Sequence, residues 1–593
     1  MLAAPTRATG GAGLLLNWLR KFSRSGSAVA DAEAQALLEQ GREANLAGRY
    51  ADAARLLLAA IGKKPHAAEF HYELGRAMRR LGEPARAVTC FRQAIALDSK
   101  HLDSHVDLAA AMLALGNAEA AELAARGALA LDARNVAALV NLGAALQGRG
   151  EFAAAADRYR AALAIEADCV PALAELASVC LHLGEVAEAA RCIDRALALS
   201  PGSADLQLRR GGIQLEQKRP QEAELSYREA LRLEPRSAPA LNGLGFVLDL
   251  QGRLDDALAL YERALALEPD NVQSHLNRSA VWLLREDYAR AWNEYEWRLR
   301  DPGQAPVHAR FGHPRWDGSP LAGRRILVYA EQGLGDEIMY ASCLPEVIAQ
   351  AEHCVIDCEP RLAPLFRRSF PRVTVHGGGQ SQEADWLEGA GRIDCCISFS
   401  SLPLHLRRSA AAFPRHSGYL RAAPERVAAW HDRLAGLGPG PKIGLSWRGG
   451  VARTSRGVRS MDLPELLPVL RHAGATFVSL QYGRHQQELA ELARSSGVRI
   501  HHWQDAIDDY EETAALVGAL DLTISVCTAV VHLAGALGRP VWVMAPIRPE
   551  PRYGFEGDGM RWYPSVRVFR QRRFGEWDAV VGAVAGALEE RYR

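Results

Sequence analysis

The sequence lacks the features that would tie it to nucleic acid, a membrane or export. Acidic and basic side chains balance at 70 each, so no net charge attracts the chain to nucleic acid or to an anionic surface. No apolar run approaches the length of a membrane span. In segment 13–22 the apolar residues come before Arg20 and Lys21, which is the wrong order for a secretory signal. We therefore expect a cytoplasmic protein without a membrane span.

Diagnostic cysteine and nucleotide motifs are also missing. None of the ten cysteines forms a Cys-x-x-Cys pair, so we predict reduced core thiols rather than disulfides or a zinc site. Neither the G-x-G-x-x-G fingerprint nor the Walker pattern is present, which weakens dinucleotide and P-loop interpretations. No Asp-x-Asp pair follows residue 305, so a metal-chelated nucleotide is not implied. We predict no metal and no cofactor.

What the chain has instead is a period of 34 residues. Alanine recurs at this spacing, and a glycine, alanine or serine stands twelve positions before each one. The eight alanines are Ala53, Ala87, Ala121, Ala155, Ala189, Ala223, Ala257 and Ala291. Small residues at these offsets are the tetratricopeptide signature, because they let helices approach closely. The period predicts an α-helical solenoid of about eight repeats over 34–305, after a flexible leader, 1–33.

The eighth repeat departs from the pattern. It contains Trp282, Trp292 and Trp297, and Arg298 stands where earlier repeats have alanine. Terminal repeats are usually atypical because they cap the array or dock on a neighbour. The aromatic residues indicate docking onto the domain that follows.

After a linker at 301–322, short β-branched runs alternate with helical patterns. Strand–helix alternation of this length predicts two Rossmann-like α/β domains, 306–438 and 439–593. Ligands of such sheets bind at the carboxyl ends of the strands, so we expect a cleft between the domains. Dehydrogenases, kinases and glycosyltransferases can all be built this way, so the fold does not choose among them.

The sharpest local motif, EQGLGDE, follows the first predicted strand. Gly333 and Gly335 permit a tight turn and the close approach of a ligand. Asp336 stands where the next helix begins, so it is either the N-cap of that helix or a general base in the cleft. A helix N-terminus stabilises the anion, and a general base there needs burial or a like charge, from Glu331 or Glu337, to offset that effect.

A second motif runs from Ser525 to Pro546 as strand, turn, helix and strand. The backbone amides of Thr528 and Ala529 would open the helix, a position that attracts phosphate. His532 lies one turn later and is either a phosphate contact or a packed histidine. Cys527 has no evident activating partner, so we interpret it as a core thiol.

A third motif is a glycine- and arginine-rich loop, 446–463. Arg448 and Arg459, with Arg453 and Arg456 between them, suit a diphosphate. The alternative is a solvated basic loop, and the position of the motif after a strand slightly favours the diphosphate. Gln481 ends a later strand on the same expected rim and is a candidate contact for a base or ribose. Arg548, Arg552 and Tyr553 are further candidates.

In tetratricopeptide units the first helix of each pair lines the concave side. The residues expected there in the central repeats are largely apolar and include Val106, Val140 and Leu208. We hypothesise that this groove accepts an amphipathic helix or an extended apolar segment of a protein partner. The alternative is that some of these side chains pack inside the solenoid.

Four segments together resemble a known family: 315–345, 479–483, 525–546 and 562–571. They are similar to bacterial glycosyltransferases that follow tetratricopeptide repeats and whose catalytic half is heptosyltransferase-like, with the two-domain GT-B fold. The layout also resembles that of protein O-GlcNAc transferases. The resemblance implies an inverting, metal-independent transferase with Asp336 as the base. It also implies that the turn at Thr528, Ala529 and His532 holds the donor phosphates.

One departure from the family concerns Cys527, which stands where many relatives have aspartate and puts the contact to the donor sugar in doubt. Some relatives with this domain order are soluble flagellin glycosyltransferases. The expected function is therefore a protein O-glycosyltransferase that uses a nucleotide sugar and captures a polypeptide acceptor, flagellin among the candidates. A glycan- or lipid-directed transferase and a catalytically inactive scaffold remain alternatives.

Overall fold

The computed structural model of the protein describes residues 28–301, 310–379, 384–449, 459–472, 474–573 and 575–593. The chain divides into two compact units between Pro235 and Arg236. The change from repeats to α/β structure that the sequence indicates near residue 305 thus lies inside the second unit. Most of the predicted leader lies outside the described residues, and the first described helix begins at Ala28.

The described part of the first unit is helical, and consecutive helices pack in pairs. The helices are α1 (Ala28–Leu46), α2 (Tyr50–Lys63), α3 (Ala68–Arg80), α4 (Pro84–Leu97), α5 (Leu102–Ala114), α6 (Ala118–Leu131), α7 (Val136–Gly148), α8 (Phe152–Ile165), α9 (Val170–Leu183), α10 (Val186–Leu199), α11 (Ala204–Glu216) and α12 (Pro220–Leu233). The predicted tetratricopeptide solenoid is confirmed for this part of the chain.

The small residues of the repeat allow the close helix pairing that the sequence predicts. A Cβ atom on Gly75 would lie 2.5 Å from Cε1 of Phe91, and one on Gly143 would lie 2.6 Å from Cε1 of Tyr159. Both aromatic rings are fully buried. Glycine at this position therefore makes room for an aromatic ring of the partner helix, and any larger residue would push the two helices apart.

The second unit begins with the last repeats: α13 (Ala238–Leu250), α14 (Leu254–Leu267), α15 (Val272–Leu284) and α16 (Tyr288–Tyr295). The chain then tightens into a 3₁₀ turn, Glu296–Arg300. The α-helices that follow are α17 (Leu334–Tyr340), α18 (Leu344–Gln350), α19 (Ala363–Ser369), α20 (Leu402–Leu406), α21 (Pro424–Ala435), α22 (Leu467–Leu470), α23 (Gln486–Ser496), α24 (Gln504–Asp508), α25 (Tyr510–Ala519), α26 (Ala529–Ala536) and α27 (Asp578–Arg591).

Two sheets carry the α/β part, and we call them the first and the second sheet. The strands of the first are β1 (Arg325–Tyr329), β2 (His353–Asp357), β3 (Thr374–His376) and β4 (Cys395–Ser398). Those of the second are β5 (Lys442–Ser446), β6 (Thr476–Ser479), β7 (Ile500–His501), β8 (Leu522–Val526), β9 (Val541–Ala545), β10 (Gly559–Met560) and β11 (Tyr563–Arg570).

The strand order is β3-β2-β1-β4 in the first sheet and β10-β11-β9-β8-β5-β6-β7 in the second. All pairs are parallel except β10 with β11. The order reverses beside β1 in the first sheet and beside β5 in the second. Each reversal leaves a crevice at the carboxyl ends of two neighbouring strands, the usual ligand position in such sheets.

The eighth repeat docks on the α/β part as the sequence indicates. Nε1 of Trp292 donates to the carbonyl oxygen of Arg407 at 2.8 Å, and its ring meets Tyr340 and Trp562 edge-on, each 6.4 Å between centroids. Trp282 and Trp297 contact side chains of their own repeat instead. One buried cluster therefore joins this repeat to both sheets.

The described helices include none that combines the length and the apolar character needed to cross a lipid bilayer.

Candidate functional site

We call the space between the carboxyl ends of β1 and β4 the first crevice and that between β5 and β8 the second crevice. The EQGLGDE motif begins directly after β1. The turn that carries Cys527 and Thr528 follows β8. The sequence therefore predicts candidate residues at both crevices. In the structure the two crevices contain different side chains.

The first crevice is filled by Arg298, which comes from the last repeat. Its guanidinium donates to Oε1 of Glu331 at 2.8 Å, to Oγ of Ser398 at 3.2 Å and to Oγ of Ser401 at 2.6 Å. It also pairs with Glu296 at 2.6 Å. The Arg298 side chain is only 5% exposed. A protein cation therefore occupies the place where a ligand of this sheet would bind.

Asp336 lies in the first turn of α17 but does not cap the helix. The N-cap is Gly333, and no side chain donates or accepts a capping hydrogen bond there. The Asp336 carboxylate instead pairs with Arg552 at 2.6 Å, and both side chains are about a fifth exposed. Arg552 belongs to the 3₁₀ turn after β9. Asp336 therefore reaches a cation that the second sheet supplies.

Gly335 sets how closely the two sheets meet. A Cβ atom on this residue would lie 3.2 Å from Cδ2 of His532 and 3.3 Å from Cα of Ala529. The helix after β1 therefore rests directly on the helix after β8, and a larger residue than glycine would make this contact tight. This arrangement brings together Asp336, the start of α26 and His532, as the sequence predicted for the cleft.

The second crevice opens on the start of α26. Thr528 is the N-cap residue, but its hydroxyl pairs with Oγ of Ser525 at 2.9 Å rather than with the helix. Gly449, after β5, is tightly fitted here, since a Cβ atom would lie 2.7 Å from the carbonyl oxygen of Cys527. Burial raises the pKa of Cys527 to about 12, which fits a core thiol and not a nucleophile.

His532 is buried between the two sheets. Its Nδ1 lies 3.2 Å from Oη of Tyr563, and its Nε2 lies 3.4 Å from Nη1 of Arg552. Burial, assisted by the Arg552 charge, lowers the pKa of His532 well below its usual value. The imidazole is therefore neutral, and Nε2 faces a guanidinium that donates to it. His532 positions Arg552 and is not a cation itself.

Arg552 is the charged centre of this site. Burial alone would lower its pKa, but the Asp336 carboxylate raises it above the ordinary value. Burial lowers the pKa of Arg459, and the charges of Arg552 and Asp336 act on it in opposite directions. The Arg459 guanidinium forms an ion pair with Glu550. Both arginines therefore already have an acidic partner within the protein.

Arg448 and Gln481 have local partners. The guanidinium of Arg448 pairs with Glu488, while Oε1 of Gln481 accepts from the backbone nitrogens of Trp447 and Arg448 at 3.0 and 2.9 Å. Nε2 of Gln481 donates to the Arg448 carbonyl at 3.1 Å. Gln481 therefore shapes the chain as it leaves β5. Arg453 and Arg456 lie outside the described residues.

The two like charges considered for Asp336 point elsewhere. Glu331 pairs with Arg298, as described above. Oε2 of Glu337 accepts from the backbone nitrogen of Glu359 at 2.8 Å. Burial raises the pKa of Glu337 to about 8, and nearby carboxylates add to the effect. The sequence indicated Glu337 as a like charge for Asp336, but its raised pKa comes first from burial, which the sequence does not show.

The predicted groove residues Val106, Val140 and Leu208 are half-buried. Each lies on the first helix of its pair, at the same position of the repeat. Val140 also packs against the core of the repeats. The groove hypothesis and the packing alternative therefore both apply to Val140.

Two other features lie away from the crevices. A cavity of about 710 Å³ lies among α18, the end of α19 and residues 414–421, and none of the predicted site residues lines it. Among the described residues, Cys180, Glu185 and Glu188 come close enough to share a metal ion. Arg160 pairs with both carboxylates, at 2.6 and 2.7 Å, so these side chains form a salt-bridge network.

Comparison with family models identifies repeats in the first half of the chain. Residues 37–142 match the middle TPR-like domain of cilia and flagella-associated protein 70. Residues 140–204 and 176–241 match one tetratricopeptide-repeat model, and residues 238–271 match another. The first half of the chain therefore contains tetratricopeptide repeats.

Among curated proteins, the chain is similar to Protein FlbA of Caulobacter vibrioides, with 36% identity over 330 residues. The similarity covers 53% of this chain and 54% of FlbA. The chain thus spans about half the length of that relative.

Solved structures of repeat proteins are also similar to parts of the chain. A tetratricopeptide-repeat protein from Parabacteroides merdae aligns with 17% identity and a TM-score of 0.37, covering 42% of this chain and 99% of that one. YrrB, whose structure is described as a TPR protein with an unusual peptide-binding site, aligns with 19% identity and a TM-score of 0.26. That alignment covers 31% of this chain and 95% of YrrB.

Proposed function

We propose that the protein is a protein O-glycosyltransferase with a GT-B catalytic part. It transfers a sugar from a nucleotide sugar to a serine or threonine of a polypeptide that the repeats capture. The observation that carries the proposal is the 2.6 Å contact between Asp336 and Arg552. An acid from the first sheet and a cation from the second sheet meet beside the start of α26, where a phosphate is favoured. The cytoplasmic location expected from the sequence belongs to the same proposal.

The proposed reaction is a single displacement that needs no metal. The acceptor hydroxyl oxygen attacks the anomeric carbon, the bond from that carbon to the donor phosphate oxygen breaks, and Asp336 takes the hydroxyl proton. The departing phosphate keeps the electron pair, and Arg552, Arg459 and the amides at Thr528 and Ala529 stabilise its charge. When the donor binds, Arg552 would leave Asp336 and pair with the donor phosphate. The Asp336 carboxylate would then be free to take the proton of the acceptor hydroxyl.

The repeats would supply the acceptor. A polypeptide held in the groove at Val106, Val140 and Leu208 has a high effective concentration at the cleft without any new catalytic contact. Flagellin is the acceptor we propose, because the sequence resembles flagellin glycosyltransferases with this domain order and because the chain is similar to FlbA.

The deciding variant is Asp336→Asn, which keeps the size of the side chain and removes the base. We expect it to fold and to bind nucleotide, but to lose transfer by about 100-fold or more. Intact-mass analysis of a co-expressed acceptor measures transfer. Asp578→Asn, an exposed acid in the first turn of α27, is the matched control and should transfer normally. Undiminished transfer by Asp336→Asn would remove Asp336 from the mechanism.

The groove is tested separately with Val140→Asp combined with Leu208→Asp. Two desolvated carboxylates in an apolar groove should weaken acceptor binding by more than about tenfold, while calorimetric binding of nucleotide stays unchanged. Leu225→Asp, at a leucine that is 69% exposed on α12, is the control. If transfer is insensitive to the double variant, the acceptor is a glycan or a lipid-linked sugar and not a captured polypeptide.

A second candidate function is a repeat scaffold without catalysis, which the buried Cys527 favours. This residue offers a donor sugar no carboxylate, and both nearby arginines already have acidic partners. Calorimetry with a panel of nucleotide sugars separates the two functions. Absence of heat with every member of the panel supports the scaffold.

A further inference from the structure

Arg298 reaches the catalytic part from the repeats, and its contacts go beyond docking. Arginine stands here in place of the alanine that earlier repeats have, for example Ala264. The helix α16 stops at Tyr295, and the 3₁₀ turn after it carries Arg298 inward. Its guanidinium lies over the Tyr295 ring, 4.4 Å from the centroid. The 3₁₀ turn and the Tyr295 ring of its own repeat therefore hold Arg298 in the first crevice from one side.

The opposite side of this contact is the segment that bears Asp336. Glu331 is the second residue after β1, is 3% exposed and receives the Arg298 guanidinium. Gly333 and Asp336 follow within the same turn and the start of α17. Ser398 and Ser401, also bound by Arg298, fix the carboxyl end of β4. One guanidinium therefore ties the last repeat, the end of β4 and the turn before Asp336 together.

We infer that Arg298 is a positioning residue for Asp336. This inference rests on the proposed function, because Asp336 has to be the base for its position to matter. Arg298 holds the start of the turn through Glu331, and Arg552 holds the Asp336 carboxylate itself. A buried arginine whose donors are divided among two carboxylates, two hydroxyls and a carbonyl cannot be replaced by lysine without loss, since lysine lacks the planar fork of donors.

The alternative is that Arg298 only stabilises the fold. Removing one partner of a buried ion pair usually destabilises a protein, whatever the function of the pair. The two roles differ in where a variant loosens the protein. A positioning role predicts a local effect on residues 330–340. A merely stabilising role predicts faster opening across the whole second unit.

The test uses the full chain with Arg298→Gln, Arg298→Lys, Glu331→Gln and the double variant Arg298→Gln/Glu331→Gln. Arg300→Gln is the matched control. Arg300 lies two residues after Arg298, is 61% exposed and pairs with Asp270. Amide hydrogen exchange is followed in 330–340 and, for comparison, in 522–536. Transfer is measured as kcat and as KM for the donor, and nucleotide binding is measured by calorimetry with UDP, GDP, ADP and CMP.

We expect Arg298→Gln to speed exchange in 330–340 by about tenfold or more while 522–536 stays protected. The value of kcat should fall by about 10- to 100-fold with little change in the donor KM. Arg298→Lys should be intermediate, and the double variant should be no worse than the worse single one. The control should match the unsubstituted chain.

Exchange that is unchanged in 330–340, or that rises equally in 522–536, overturns the inference, as does an unaltered kcat. If Arg298→Gln does not fold, Arg298→Lys and Glu331→Gln carry the same comparison. If the unsubstituted chain neither binds a nucleotide nor transfers a sugar, the proposed function fails and the catalytic role of Arg298 fails with it. The exchange pattern then still decides whether Arg298 holds the turn.

Discussion

The two crevices have the same topology, but their arginine–carboxylate pairs differ in how far they are exposed. Both lie where the strand order reverses beside the first strand of a parallel sheet. In the first crevice the protein supplies its own cation, Arg298, with fixed acidic partners and almost no exposure. In the second crevice the ion pairs of Arg459 and Arg552 remain 15–23% exposed. The difference teaches that topology marks where a ligand can bind, while the exposure of the charges decides whether one can enter.

The largest expected effect that tests this contrast is on anion binding. Arg552→Gln should weaken nucleotide binding by roughly 10- to 100-fold, because charge-assisted hydrogen bonds contribute about 1.5–3 kcal/mol. Calorimetry with UDP, GDP, ADP and CMP measures it. Arg573→Gln, at a residue 81% exposed, is the control. The contrast fails if Arg298→Gln weakens binding and Arg552→Gln does not.

A smaller effect is expected from the backbone fit of the second crevice. Gly449→Ala places a methyl group against the Cys527 carbonyl and should lower the free energy of unfolding by about 1–3 kcal/mol. Gly582→Ala, on α27 with no atom within 4 Å of the new Cβ, should be neutral or stabilising by about 1 kcal/mol. Urea denaturation measures both. Equal effects of the two substitutions would show that the crevice is not tightly packed.

A further effect concerns the pH dependence of stability beside the first crevice. The pKa of Glu337 is raised from its usual 4.5 to about 8 in the folded protein. Between pH 4.5 and about 8 the folded state keeps the proton on the Glu337 carboxyl, whereas the unfolded state has lost it. Each pH unit of increase therefore costs about 1.4 kcal/mol of stability from this group at most.

Glu337→Gln removes this titration and still offers an oxygen to the backbone nitrogen of Glu359. Its melting temperature relative to the unsubstituted protein should rise between pH 5 and 8. Glu388→Gln, at an exposed glutamate, should show no such trend. A pH-independent difference for Glu337→Gln would mean that the carboxyl is already ionised in the folded protein.

The repeat architecture could be predicted almost to the residue, because a strict period fixes the phase of every helix pair. The repeat starts derived from the alanine spacing at 68, 102 and 136 coincide with the first residues of α3, α5 and α7. The strands β1 and β5 also fall within the predicted runs. Periodicity and local composition are properties of neighbouring residues, so one sequence is enough to read them.

The candidate site was predictable only in part. Asp336, Ala529 and His532 come together as expected, since each follows the carboxyl end of a strand, β1 in the first sheet or β8 in the second. The partners of Asp336 and Glu331 could not be predicted, because Arg552 is 216 positions and Arg298 is 33 positions away in the chain and no local pattern links them. Gln481 follows the end of β6 by two residues, and its buried amide is bonded to the backbone.

The docking of the last repeats also reaches the second sheet. Asp249 on α13 is fully buried and receives Arg548 from the segment after β9, at 2.8 Å. Repeats upstream of that anchor could therefore be added or removed in whole steps of 34 residues without disturbing this contact. Such a change would alter the length of the helical array while the anchor at Asp249 stays in place.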